Sequence, residues 1–368
     1  MIGSSVSDAA AAAARLGAPT TALEDWRYVR VESLNAALDA PRRANATELA
    51  PWLPEGGLSF SVVDGQFHHL GRADLPGNWR LRVADETDHA RWSQTLATTT
   101  ELPTAWALAG TCQQVLAVRG DAGAPLTILN AVTGGPSGWT LRCELAAGAR
   151  LHLRIRHAGL GRGRSAFRLE AILGQGAHLT VEEVQATPWT ILTTHQDVTL
   201  AKDAQVVWTS SWTGGDLLRQ RLDATLTGAG ASVDFAALAD TAGTAQAHVV
   251  TRLRHAAPNT VSRQLIKTVL ADASRTSLDG VIAVDPGADG TDADLQNRNL
   301  ILSPQARADT RPQLDIRADE VKAAHGATIG RLDRDEMLYL RMRGFPEAEA
   351  TALLARGWRD EVLGRLTI

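Results

Sequence analysis

Cysteine is almost missing from this chain of 368 residues; only Cys112 and Cys143 occur. They lack a C-x-x-C spacing, which excludes a disulfide framework and a four-thiolate metal site built by this chain alone. Both are read as buried thiols packing as small hydrophobes. Lysine is nearly missing too, at 202, 267 and 322 only, and arginine carries the positive charge. The arginine usage and the abundance of alanine fit a high-GC coding bias. Lys+Arg at 37 against Asp+Glu at 41 leaves a formal charge of −4, so there is no broad basic footprint for nucleic acid. No apolar run reaches the ~18–20 residues of a membrane helix. Residues 1–14 lack the basic start and leucine-rich core of a secretory signal, so the cytoplasm is the expected compartment. The phosphate loop G-x-x-x-x-G-K-[ST], the G-x-S-x-G elbow and the H-E-x-x-H metal motif are also missing. With 44% apolar residues, however, the chain has the composition of a folded protein.

Three stretches differ in pattern. Residues 1–124 read as a mixed N-terminal region. Leu34, Ala37 and Leu38 recur at helical spacing within 31–40, runs 58–62 and 79–83 alternate as strands, and 86–109 is helix-like. Four of the ten tryptophans, from Trp52 to Trp106, lie here and are read as core.

Residues 125–330 consist of short alternating runs punctuated by Gly, Asp or Asn, a strand-only pattern. They also repeat. Leu145…Gly148-Ala149-Arg-Leu151 recurs as Leu173…Gly176-Ala177-His-Leu179 and as Leu200…Asp203-Ala204-Gln-Val206. A version one residue longer runs Leu226…Gly230-Ala231-Ser-Val233. The alanines are 28, 27 and 27 residues apart. A coil of that length cannot bury its apolar face alone, whereas stacked coils share one continuous core, so the period predicts a β-solenoid. Two-residue Asn-Gly or Asp-Gly turns are largely missing here, which counts against the alternative, a sandwich of hairpins.

Residues 331–368 read as helical. Asp333 caps a helix carrying Met337, Leu338, Leu340 and Met342, and Gly344 stops it. Pro346 opens a second helix with Ala350, Leu353 and Leu354, which Gly357 ends; a last helix starts at Trp358. These helices either cap the solenoid or present an apolar stripe to a partner.

Chemistry is sparse. The acidic run from Asp285 to Asp294 has Gly287 where a calcium loop needs Asp or Asn, and reads as a solvated turn. His157, His195, His248 and His255 are scattered and read as satisfied polar groups. Glu182 and Glu183 are adjacent, so on a strand they face opposite sides and cannot flank one glycosidic bond. His325 differs. It opens His325-Gly-Ala-Thr-Ile-Gly330, whose glycines allow a shaped turn, and an imidazole there suits a metal ligand or a buried interface group.

Three anchors carry a family resemblance: Pro19-Thr-Thr-Ala-Leu-Glu24-Asp-Trp26-Arg27-Tyr28; Ser262-Arg263-Gln264-Leu-Ile-Lys267 followed by Gly280; and Pro312-Gln-Leu-Asp-Ile through Asp319-Glu-Val-Lys322, His325-Gly-Ala-Thr-Ile-Gly330 and Tyr339-Leu-Arg-Met-Arg-Gly344. They resemble the SufB/SufD family of the SUF iron–sulfur cluster assembly machinery. His-Gly-Ala-Thr in place of the SufB-type His-Glu-Ala-Thr points to the SufD branch. The resemblance implies a right-handed parallel β-helix flanked by an N-terminal α/β region and C-terminal helices. It also implies a non-catalytic scaffold that pairs with SufB through the solenoid ends and binds the SufC ATPase through the C-terminal helices. His325 matches a histidine that meets the partner at a shared metal site. Ala323 stands where the family often has Cys. Leu338, Met342, Leu353 and Leu354 are the expected SufC-facing stripe. The expected chain holds no stable cofactor, meets iron or a cluster transiently at the SufB interface, and self-pairs when isolated. Two alternatives from other classes are a β-helix carbohydrate-active enzyme and a metal-free interaction module.

Overall fold

The computed structural model describes residues 3–17, 19–20, 26–35, 37–53, 58–68, 75–99, 101–110, 112–121, 123–185 and 191–367. Residues 21–25 of the N-terminal anchor lie outside these.

The N-terminal region contains α1 (Gly3–Leu16), α2 (Ala46–Leu49), β1 (Leu58–Val63), β2 (Gln66–His68), β3 (Trp79–Val83), α3 (Glu86–Thr98), α4 (Leu102–Leu108) and β4 (Cys112–Val118). Asp85 and Asp88 start α3 as a reciprocal capping box. Ala9 and Ala12 of α1 pack on Trp92 and Leu96 of α3 and on Ala105 and Leu108 of α4. The helix expected over 31–40 is not formed. Only a 3₁₀ turn, Val31–Asn35, is present. Beyond it the chain bonds to the solenoid instead: Asp39 donates its N–H to the Arg162 carbonyl at 2.8 Å and accepts the Arg162 N–H on Oδ2 at 2.7 Å.

The repeat region forms β5 (Leu126–Val132), β6 (Gly135–Leu145), β7 (Arg150–Gly159), β8 (Gly163–Leu173), β9 (His178–Gln185), β10 (Ile191–Leu200), β11 (Gln205–Thr213), β12 (Leu217–Leu226), β13 (Ser232–Thr241), β14 (Gln246–His255), β15 (Val261–Leu270), β16 (Arg275–Val284), β17 (Asp292–Ile301), β18 (Arg307–Ile316) and β19 (Lys322–Gly330). From β5 onward, odd strands stack in one sheet and even strands in the other, all in parallel. This is a parallel β-solenoid of about eight turns. Its stacking reaches back before residue 125, since β1 pairs in parallel with β5 and β4 with β6. Antiparallel β2 and β3 close that end.

The repeat motif acts at the corner of each coil. Gly148, Gly176, Asp203 and Gly230 are left-handed, with φ between 57° and 74°, which Gly adopts freely and Asp tolerates. The following alanines, 149, 177, 204 and 231, are fully buried. Each closes a four-residue turn, as in Ala149 N–H to the Ala146 carbonyl at 3.0 Å. The left-handed residue bonds to the next coil, as in Gly148 N–H to Gln175 O at 2.8 Å. Turn closure and coil stacking therefore use the same few atoms.

α5 (Arg334–Met342) starts on Asp333, whose side chain accepts the N–H groups of Asp335 and Glu336. It stops at Gly344, φ +91°. Pro346 caps α6 (Glu347–Leu363), which runs unbroken through Gly357, so the expected break and separate last helix are not formed. Packing on both sides of Gly357 holds the helix against the solenoid wall. Ala355 packs on Val269 and Leu300, and Val362 on Ala236, Leu238 and Leu265. Lys267 Nζ meets Glu361 at 2.7 Å, and Arg359 forks onto Asp240 at 2.6 and 3.1 Å.

Candidate functional sites at the open end and the C-terminal helices

The last strands, β18 and β19, are the uncovered edges of their sheets. Register puts Leu314 and Ile316 beside Ile282 and Val284, two core residues. The two residues therefore continue the inward-facing rows of the core. No further coil follows, however, and Leu314 and Ile316 remain 36% and 39% exposed. In β19, Ala323 lies beside Ala293, and His325 beside Leu295, which is fully buried. His325 thus occupies a core-facing position of a coil with nothing stacked beyond it, and is exposed. Gly326 leaves the space that a Cβ would take against the Gln296 side chain, 2.8 Å away.

At α5 and α6 the four expected partner residues divide. Leu353 and Leu354 line a groove of about 440 Å³ between the two helices. Tyr339 and Leu340, which the expected stripe left out, line it too, with Asp335 and Glu336. Leu338 and Met342, four residues apart on α5, are 57% and 79% exposed and are not part of the groove lining. The available signal was spacing: Glu336, Tyr339 and Leu340 fall at i, i+3 and i+4 on one face of α5.

Both cysteines are free and buried. Burial pushes the Cys112 thiol up to about 12. Burial, helped by Glu144, pushes Cys143 up as well. Neither offers a thiolate. Glu182 and Glu183 face opposite ways. Glu182 meets Arg154 at 3.1 Å on the outer face, while Glu183 lies fully buried among His157, Gln196, Trp208 and Gln220. His248 and His255 are buried and bonded to Ser277 and to Thr260 and Ser262; burial holds them down to about 3 and about 4.

Among the described residues, one cluster brings three metal-type donors within 4.8 Å: His195, Asp197 and Asp223. It belongs to a ladder that the sequence reading missed. Arg168, His195 and Arg221 are in register across β8, β10 and β12, and so are Glu170, Asp197 and Asp223 two residues on. His195 Nε2 meets Asp223 at 2.8 Å and Asp197 at 3.3 Å. Arg168 holds Asp197 at 2.6 Å and Arg221 holds Asp223 at 2.8 Å. Nδ1 meets Thr104 of α4. Two guanidiniums occupy the carboxylates that a cation would need, so the cluster is an ion network fastening α4 to the sheet. Spacings of 27 and 26 between Arg168, His195 and Arg221 were the available signal.

A solenoid ending in an open, apolar edge, with a helical pair alongside, defines a scaffold of stacked coils. Residues 140–358 match the family described as "SUF system FeS cluster assembly, SufBD core domain", and the chain belongs to that family. It is SufD-like. It is 28% identical to the iron-sulfur cluster assembly protein SufD of Escherichia coli (strain K12), over 95% of this chain and 85% of that one. It is also 28% identical to an iron-sulfur cluster assembly SufBD family protein of Mycobacterium tuberculosis, over 94% and 84%. A family member from Synechocystis is 36% identical over 157 residues, 42% of this chain and 34% of that one.

Proposed function

We propose that the chain is a non-catalytic SufD-type scaffold that pairs with SufB across the open solenoid end. In this reading it binds the SufC ATPase through α5 and α6 and works in the cytoplasm. His325 contributes to a shared site through which iron or a nascent cluster passes as cargo. The observation that carries the reading is the open end: two unpaired strand edges beside exposed Leu314, Ile316 and Ile329. Such an edge is a template for another chain, and in isolation a second copy of this chain can take it.

The cysteines limit this chain's part in the site. Cys112 and Cys143 are buried and protonated, and position 323 is alanine, so thiolate ligands fall to the partner and the imidazole to this chain. Co-expression with SufB and SufC, pull-down, and iron and sulfide measurement test the reading. His325→Ala is expected to leave the fold intact, because the side chain is exposed, and to leave assembly intact, because it adds no bulk or charge to the edge, while cluster-bound iron falls. Unchanged iron would reduce the chain to a metal-free interaction module; failure to recover SufB or SufC would overturn the scaffold reading.

A further inference from the structure

Trp106, read from the sequence as core, stands instead at a cleft of about 340 Å³ between α1, the 31–35 turn and α4. That volume lies within the range of small-molecule sites. Ala13, Val31, Leu34 and Leu102 form apolar walls, Glu32 lies at one side, and Arg164 enters from β8.

Arg164 is unlike its neighbours. On the same sheet Arg142 meets Glu144, Arg168 meets Asp197, Arg219 meets Glu101 and Arg221 meets Asp223, at 2.6–2.8 Å. Arg164 is flanked in register by Pro136 and Ile191, neither of which carries charge. Among the described residues it has no ion pair and no side-chain hydrogen bond; Glu32 is not within ion-pair distance. Its guanidinium carbon lies 4.2 Å from the centre of the Trp106 ring. Burial lowers its pKa without any compensating carboxylate, and the group remains charged. A half-buried cation with one face on an indole and no carboxylate partner among the described residues is only partly compensated. Its planar fork matches an oxyanion bidentately.

We propose that this cleft binds a small organic anion, with one carboxylate or phosphate head held by Arg164 and an apolar body lying between Trp106, Leu34 and Leu102. Glu32 disfavours a second negative charge at the mouth, so the ligand has a single anionic head. The site lies on the N-terminal region, away from the open end, and stands independently of the scaffold reading.

The full chain is titrated with benzoate and with phenyl phosphate, followed by calorimetry and ligand-observed NMR, with benzyl alcohol and inorganic phosphate as comparisons. At least one aromatic anion is expected to bind. Benzyl alcohol, inorganic phosphate and the Arg164→Met variant are each expected to bind about tenfold more weakly or worse, as for one lost charge-assisted pair. Preference between benzoate and phenyl phosphate identifies the head group. Arg164→Met keeps the apolar stem over Trp106 and removes the charge, so the variant is expected to stay folded and to isolate the role of the guanidinium. Absence of binding at about 10 mM, where even a Kd of about 1 mM would saturate the site, overturns the proposal. So does equal affinity in the variant or for benzyl alcohol.

Discussion

His195→Gln is the substitution whose effect can be worked furthest from this structure. His195 is buried under α4. Burial alone would lower its pKa, but Asp197 and Asp223 outweigh burial and raise it to about 9. Its unfolded value is about 6.5. A raised folded pKa means that protonation favours the fold, fully so below about pH 6.5, and that this contribution disappears as pH climbs through 9. The shift corresponds to about 3 kcal/mol, of which about 2 kcal/mol is lost between pH 7 and pH 9. Urea unfolding followed by circular dichroism at steps from pH 6 to pH 9.5 reads this out. The parent is expected to lose stability steadily above pH 7. The Gln variant keeps a hydrogen-bonding side chain without the charge; it is expected to be weaker at pH 6 and flatter above pH 7. A parent curve that is level from pH 6 to pH 9 would refute the reasoning. So would an alkaline slope that survives unchanged in the variant, because the proton would then reside elsewhere.

Two further outcomes are expected. A Cβ at Gly228 would come within 2.0 Å of the Lys202 backbone nitrogen in the adjoining coil, whereas Gly176 has nothing within 4 Å and only its φ of +63° to consider. Gly228→Ala is therefore expected to lower the urea midpoint by more than the ~1–2 kcal/mol equivalent of Gly176→Ala, and equal midpoints would contradict the coil contact. Leu353→Glu places a charge in the α5–α6 groove while leaving Ala355 and Val362 packed. Its thermal midpoint is expected within ~0.5 kcal/mol equivalent of the parent, with SufC retention in a pull-down reduced; undiminished retention would remove the groove from the interface.

The coil period was legible because it depends on chemistry that repeats locally: a residue that tolerates a left-handed backbone, then an alanine small enough to be buried at the corner. The helix over 31–40 and the break at Gly357 were misread for one reason. Local periodicity is a weak term, and both segments answer to the solenoid wall, one through Asp39 and Arg162, the other through Ala355 and Val362. Trp106 and the Arg168–His195–Arg221 ladder were missed because neither has a sign in its own neighbourhood. Trp106 reads as core until the cleft beside it is seen, and the ladder appears only when coils are set in register.

From residues alone, this chain's stacked-coil architecture and its lack of a four-thiolate site were already determined, since both depend on residue type and spacing. Tertiary structure decided which charges meet. Glu183 is sealed among interior donors while Glu182, on the opposite face of the strand, is buried against Arg154 and Thr367, His195 is clasped by two carboxylates, and Arg164 lies against an indole at a cleft. It also decided that the last coil ends uncovered, because a repeat can announce its period but only the assembled stack shows which edge has no neighbour.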